Sequence, residues 1–103
     1  MKLIQELSEM IEEEINDTKK YAMKALEVRD EYPELASVFM TLSKGEGDHQ
    51  NQLHEQVVKI IRDYRMKQGE PPSEMMAVYE YLHKKHIADS AEAKRLQEMY
   101  SGR

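Results

Sequence analysis

Residues 33–68 read PELASVFMTLSKGEGDHQNQLHEQVVKIIRDYRMKQ, and this stretch decides the fold. Its apolar residues recur at steps of three and four, the spacing that places side chains on one face of an α-helix. The phase continues through Gly45 and Gly47, although a glycine costs a helix about 1 kcal/mol relative to alanine. The alternative is a loop here, with Asp48 capping a new helix. The unbroken phase favours one continuous helix, in which the glycines mark close approach by a neighbouring helix or local distortion at a site.

Two proline-containing breaks flank this helix. Residues 30–33 read DEYP; the residue before a proline is driven out of helical geometry, and Pro33 suits the first turn of a helix. Residues 69–73 read GEPPS, where Gly69 fits a helix end and the prolines prevent continuation. The chain is therefore predicted to be all-α, a single domain over residues 1–103. Short connections favour an antiparallel bundle of three long helices, at residues 3–30, 33–68 and 73–100.

The composition suits a soluble helical protein. The chain has 103 residues, of which 40% are hydrophobic and 34% charged, and its net charge is −5. An acidic chain lacks the clustered lysine and arginine that nucleic-acid binding requires. No stretch approaches the roughly 18 apolar residues of a membrane span, and the N-terminus lacks the apolar run of a signal peptide. We therefore expect a cytoplasmic protein that binds neither nucleic acid nor membranes.

Two ionisable residues interrupt the apolar stripe predicted for the second helix. The members of this stripe are Phe39, Leu42, Glu46, His49, Leu53, Val57, Ile60 and Tyr64. A buried polar group without a partner costs roughly 2–7 kcal/mol, and a buried charge costs more. Glu-x-x-His on an inward helix face is also the half-site of di-iron carboxylate bundles. Glu46 and His49 are therefore candidate metal ligands.

Glu14 occupies a corresponding position in the first helix. The predicted inward line of that helix is Leu3, Leu7, Met10, Glu14, Tyr21, Ala25 and Val28. In an antiparallel hairpin that turns near residues 31–32, Glu14 and His49 are equally far from the turn and hence level. Glu14, Glu46 and His49 are therefore predicted to converge as two carboxylates and one imidazole. The structural alternative is a buried ion pair between Glu14 and His49 that fixes the helix register.

The third helix offers further candidates. Its predicted inward line is Met75, Tyr79, Leu82, His86, Asp89, Ala93, Leu96 and Tyr100. His86 and Asp89 hold central positions in this line and are candidate metal ligands, although only Asp89 approaches the level of His49. Because the chain has no cysteine, any metal is held by carboxylate and imidazole. These ligands favour iron, with manganese or zinc as alternatives.

The pattern over roughly residues 7–55 resembles the ferritin-like superfamily, most closely its rubrerythrin and encapsulated-ferritin members. The resemblance is carried by Glu14 and Tyr21 on one helix and by the run Glu46-Gly47-Asp48-His49 on the next. It implies a ferritin-like bundle with an iron or di-iron site that oxidises iron or reduces peroxide. The family bundle has four helices and two half-sites, whereas this chain has one convincing half-site. The resemblance thus implies a homo-oligomer, a dimer or larger, in which a second subunit or the third helix completes the site.

Two classes of function remain open at this point. The first is a ferritin-like metal-binding protein, with ferroxidase or peroxidase chemistry if it is an enzyme. The second is a non-catalytic helical oligomerisation or interaction protein with a buried Glu–His network. The chain also resembles small helical proteins encoded by phages and prophages, a likeness that implies no mechanism.

Overall fold

The computed structural model describes residues 2–102, in which short connections join three α-helices and no strand occurs. The helices are α1 (Lys2–Val28), α2 (Pro33–Gln68) and α3 (Ser73–Ser101). The predictions of an all-α chain and of its two breaks are confirmed. α2 runs without interruption through Gly45 and Gly47, so the alternative of a loop there is wrong.

Proline and glycine set the two ends of α2. Pro33 occupies its first turn, where a missing N–H leaves no helical hydrogen bond unmade. Gly69 ends the helix with φ 82°, a left-handed conformation that glycine adopts without the steric penalty of a Cβ. Its backbone N–H donates to the carbonyl oxygen of Arg65 at 3.1 Å.

α1 is the helix against which the other two pack. It forms an antiparallel hairpin with α2, and α3 then runs parallel to α1, with Lys85 opposite Glu12 and Met99 opposite Arg29. α2 and α3 approach each other less closely than either approaches α1. The result is a rod of 56 × 19 × 18 Å.

Two apolar clusters fill the rod, one in each half. The first contains Ile4, Ile11, Ile15, Val57 and Ile61. The second contains Ala22, Ala25, Ala36, Met40 and Leu96. Between them lies the buried Ser43, whose hydroxyl donates to the Thr18 carbonyl oxygen at 2.7 Å and accepts from the Gln97 amide at 2.9 Å. One side chain of α2 is thereby linked to both other helices.

The predicted inward faces of α1 and α2 are wrong by about one position, although Ala25 and Val57 are buried as predicted. The residues buried in α1 are Ile4, Ser8, Ile11, Ile15, Thr18, Ala22 and Ala25. Those buried in α2 are Ala36, Met40, Ser43, Val57 and Ile61. One position turns a helix face by about 100°. Small Ser, Thr and Ala residues occupy part of the true contact, and because they are weakly hydrophobic they do not mark it in the sequence.

Most of the residues that were predicted to face inward in α1 and α2 instead form a second, partly apolar surface. This surface lies on the side of the α1–α2 hairpin away from α3. We call it the outer face and define it by Leu3, Leu7, Met10, Glu14, Tyr21, Leu35, Phe39, Leu42, Glu46, His49, Leu53, Ile60 and Tyr64. The line predicted for α3 is confirmed where it is buried, at His86, Ala93 and Leu96.

Gly45 and Gly47 weaken α2 without serving its packing. A Cβ built at either position meets no atom within 4 Å, so the prediction of close approach by a neighbouring helix is wrong. We expect Gly45→Ala and Gly47→Ala each to raise the free energy of unfolding by up to about 1 kcal/mol in urea denaturation. Gly69→Ala is the matched control: it also has free space, but its φ of 82° strains an alanine, so stability should fall. Destabilisation by the two helical substitutions would contradict a continuous α2.

Candidate metal centre

Glu14, Glu46 and His49 converge where α1 meets α2, as their spacing predicts. One ligand atom from each residue lies within 4.8 Å of those of the other two. His49 Nδ1 is 3.6 Å from Oε2 of Glu14 and 3.7 Å from Oε2 of Glu46. Equal distance from the hairpin turn brings Glu14 level with His49, and the three-residue step places Glu46 on the same helix face. We call these three residues the carboxylate–imidazole cluster.

The cluster lies at the edge of the core, within the outer face. The side chains of Glu14 and Glu46 are 27% and 22% exposed, whereas that of His49 is 58% exposed. The expectation that His49 lies at the centre of a buried stripe is therefore wrong, because the true buried face of α2 is turned away from it. The two carboxylates are thus sheltered, while the imidazole borders solvent and leaves an approach to the cluster open.

Oε2 of Glu14 is the least satisfied atom of the cluster. It is buried and has no hydrogen-bond partner among the described residues. Its separation of 3.6 Å from His49 Nδ1 is longer than a hydrogen bond. An unsatisfied buried acceptor costs about 1–3 kcal/mol, and more when it is charged. A cation among the three side chains would satisfy this oxygen, so the residues present fit a metal held by two carboxylates and one imidazole.

His86 and Asp89 lie away from this cluster. Asp89 Oδ1 is 3.8 Å from Nζ of Lys19 on α1. His86 lines a cavity between α2 and α3 together with His54 and His83. Both residues belong to the side of the hairpin that α3 covers, opposite the outer face. Among residues 2–102, the group whose ligand atoms lie close enough to hold a metal is the carboxylate–imidazole cluster, and it contains no residue of α3.

Sequence reasoning missed the position of His54. The predicted stripe of α2 passes through Leu53, one position away, and does not include His54. The true phase, which includes Ser43 and Val57, also brings Gln50 and His54 toward the interior. No hydrophobic signal in the sequence marks this phase, because small residues such as Ser43 occupy part of it.

Similarity to known proteins does not assign the cluster a role. No helix within residues 2–102 combines the length and apolarity needed to cross a membrane. No family model matches the chain, and neither a curated protein nor a solved structure shows significant similarity to it. The function of the cluster must therefore be inferred from its own chemistry.

Proposed function

We propose that the chain is a ferritin-like metal-binding protein in which Glu14, Glu46 and His49 bind iron, with manganese or zinc as alternative ions. The observation that carries the proposal is the convergence of ligand atoms from two helices to within 4.8 Å of one another. Carboxylate oxygens and imidazole nitrogens are the ligands that such ions take in proteins without thiolates. The buried and unpartnered Oε2 of Glu14 adds an atom that a cation would satisfy.

Each side chain has a distinct role in this proposal. Glu14 and His49, which lie level, are terminal ligands. Glu46 lies one helical turn nearer the turn of the hairpin and would supply the second carboxylate to the ion. Iron(II) bound with open coordination positions supplies reactivity toward oxygen or peroxide, so the proposed reaction is oxidation of iron or reduction of peroxide.

The outer face supports pairing of two copies of the chain. Three ligands leave the coordination of a metal ion incomplete, and four apolar side chains of the outer face, Leu3, Met10, Leu35 and Leu42, are 43–49% exposed. Apolar surface of this kind marks an interaction site when it is contiguous. A two-fold pair would oppose the two outer faces, bring two clusters together and form a four-helix core from two α1–α2 hairpins.

A second candidate function is non-catalytic self-association with a structural Glu–His network. The separations of 3.6 and 3.7 Å between His49 Nδ1 and the two carboxylates favour it, because both carboxylates lie within ion-pair distance of the imidazole. In this alternative the outer face drives association, and the cluster fixes the register of α1 against α2.

One measurement separates the two candidates. Size-exclusion chromatography with light scattering, followed by elemental analysis of the same peak, is applied before and after anaerobic addition of iron(II). We expect stoichiometric metal and a mass about twice the 12.1 kDa of one chain. A dimer that never retains metal would instead support the second candidate. A 12.1 kDa monomer throughout the micromolar range would contradict the pairing of two chains in both candidate functions.

A further inference from the structure

Three of the chain's four histidines line one cavity between α2 and α3. His54 extends from α2, and His83 and His86 extend from α3 one turn apart. The cavity has a volume of about 270 Å³, and Ile11 and Ile15 of α1 also line it. This cavity lies on the α3 side of the hairpin and is separate from the carboxylate–imidazole cluster.

The imidazoles pack against other rings and apolar side chains. The ring centroids of His54 and His83 are 4.9 Å apart with an interplanar angle of 11°, and Tyr79 stacks on His83 at 5.6 Å and 13°. His86 is only 7% exposed. The Nε2 atoms of His54 and His86 are buried and have no hydrogen-bond partner among the described residues. A charge on either ring would therefore be poorly solvated.

The surroundings of the rings favour the uncharged form. Burial lowers the pKa of His54 and of His86 below the ordinary value of 6.5, because desolvation disfavours the imidazolium. The titratable groups that face the rings are Glu12 of α1, Glu55 of α2, and Tyr79, His83, Lys85 and Asp89 of α3. Glu12 is already paired with Lys85, and Asp89 with Lys19. These pairs limit how far the two carboxylates can compensate a new imidazolium.

Side-chain contacts at this level connect α3 to α2. The Gln50 amide donates to the Ser90 hydroxyl at 2.9 Å, next to the stacked His54 and His83. The backbones of α2 and α3 stay farther apart than those of α1 and α2. Repulsion between charged rings would therefore act on the contact between α2 and α3, the weaker of the two contacts that hold α3 to the hairpin.

We propose that this imidazole cavity makes the docking of α3 onto the α1–α2 hairpin dependent on pH, with uncharged rings holding α3 in place and protonated rings releasing it. A shared metal ion is not the better explanation. Within residues 2–102, the group with three ligand atoms inside 4.8 Å is Glu14, Glu46 and His49, not the three histidines of the cavity.

Proton linkage gives the direction of the effect. A histidine whose pKa is lowered by folding binds protons more readily in the unfolded or undocked chain. Its stabilising contribution is complete above the unfolded-state pKa of 6.5 and is lost as the pH falls from there toward the lowered folded-state pKa. Release of α3 is therefore expected in mildly acidic solution.

Hydrogen exchange followed by mass spectrometry tests this proposal on the purified protein at about pH 7.5 and about pH 5. After correction for intrinsic exchange rates, the amides of α3 should lose protection on acidification before those of α1 and α2. The expected loss approaches about tenfold per pH unit for each proton taken up. Acid release of metal from the carboxylate–imidazole cluster would act first on α1 and α2, so the helix in which protection is lost separates the two effects.

Substitution of the buried rings provides the second arm. The double variant His54→Gln/His86→Gln removes both titrating groups and should lose less than half as much α3 protection on acidification as the wild type. Glu80→Gln changes the charge of α3 at an exposed position and should keep the full wild-type response. Unchanged protection of α3 in the wild type at the two pH values overturns the proposal without any variant. An equal loss in the double variant also overturns it.

Discussion

His49→Ala is expected to abolish both metal uptake and the metal-dependent rise in melting temperature. His49 Nδ1 faces Oε2 of both Glu14 and Glu46, so its removal takes the imidazole from the cluster and leaves two carboxylates. Metal at a hundredfold excess over Kd stabilises a folded protein by about 2.7 kcal/mol. For a domain of this size, that corresponds to roughly 10–20 °C in melting temperature. Calorimetry with and without added metal, together with elemental analysis, measures both losses.

Glu80→Ala is the matched control for this experiment. Glu80 and His83 repeat the Glu-x-x-His spacing, but Glu80 is exposed on α3 and lies outside the cluster. Its substitution should leave metal content and metal-dependent stabilisation unchanged. A structural Glu–His network gives a different result, in which His49→Ala lowers stability equally with and without metal. Unchanged metal content in His49→Ala and Glu46→Ala would end the metal hypothesis for this cluster.

Ile15→Ala should cause the largest loss of stability. Ile15 is 1% exposed in the same apolar cluster as Val57, which is fully buried. Truncating a buried isoleucine to alanine costs about 2–5 kcal/mol, because apolar contacts are lost and a cavity remains. Small proteins have a total stability of about 5–15 kcal/mol. Urea denaturation should therefore show a much lower midpoint for Ile15→Ala than for the wild type.

Ile87→Ala provides the same chemical change on the surface. Ile87 is 58% exposed on α3, so its truncation should change stability by no more than about 0.5 kcal/mol. Equal effects of the two substitutions would show that Ile15 does not face the core. That result would restore the inward line of α1 predicted from the sequence, through Met10 and Glu14.

The convergence of Glu14 with His49 could be predicted from the sequence, whereas the degree of burial of these side chains could not. Convergence depends on the number of residues between each side chain and the turn, and Pro33 fixes the position of that turn. The burial of the cluster depends on which of two adjacent rows of residues along each helix faces the partner helix. Ser43 is fully buried at that contact, while Leu42 is 43% exposed beside it. Hydrophobicity ranks these two residues in the opposite order, so the sequence pattern selects the wrong line.

The sequence also could not predict on which side of the α1–α2 hairpin α3 packs. The connection over residues 69–72 is short, but a short connection permits α3 to return on either side of the α1–α2 hairpin. Its position is determined by long-range contacts such as the one from Gln97 to Ser43. That choice of side separates His86 and Asp89 from the carboxylate–imidazole cluster. It also creates the histidine cavity, to which His54 contributes from a line that the sequence pattern had not identified.

The parallel arrangement of α1 and α3 has a consequence for biosynthesis. α1 can pair with α2 across a short turn, whereas its contact with α3 must close a loop that includes all of α2, at a greater entropic cost. The α1–α2 hairpin should therefore form first as the chain leaves the ribosome. Glu14, Glu46 and His49 all belong to that hairpin. A nascent chain would then be able to assemble the complete carboxylate–imidazole cluster before its third helix has been synthesised.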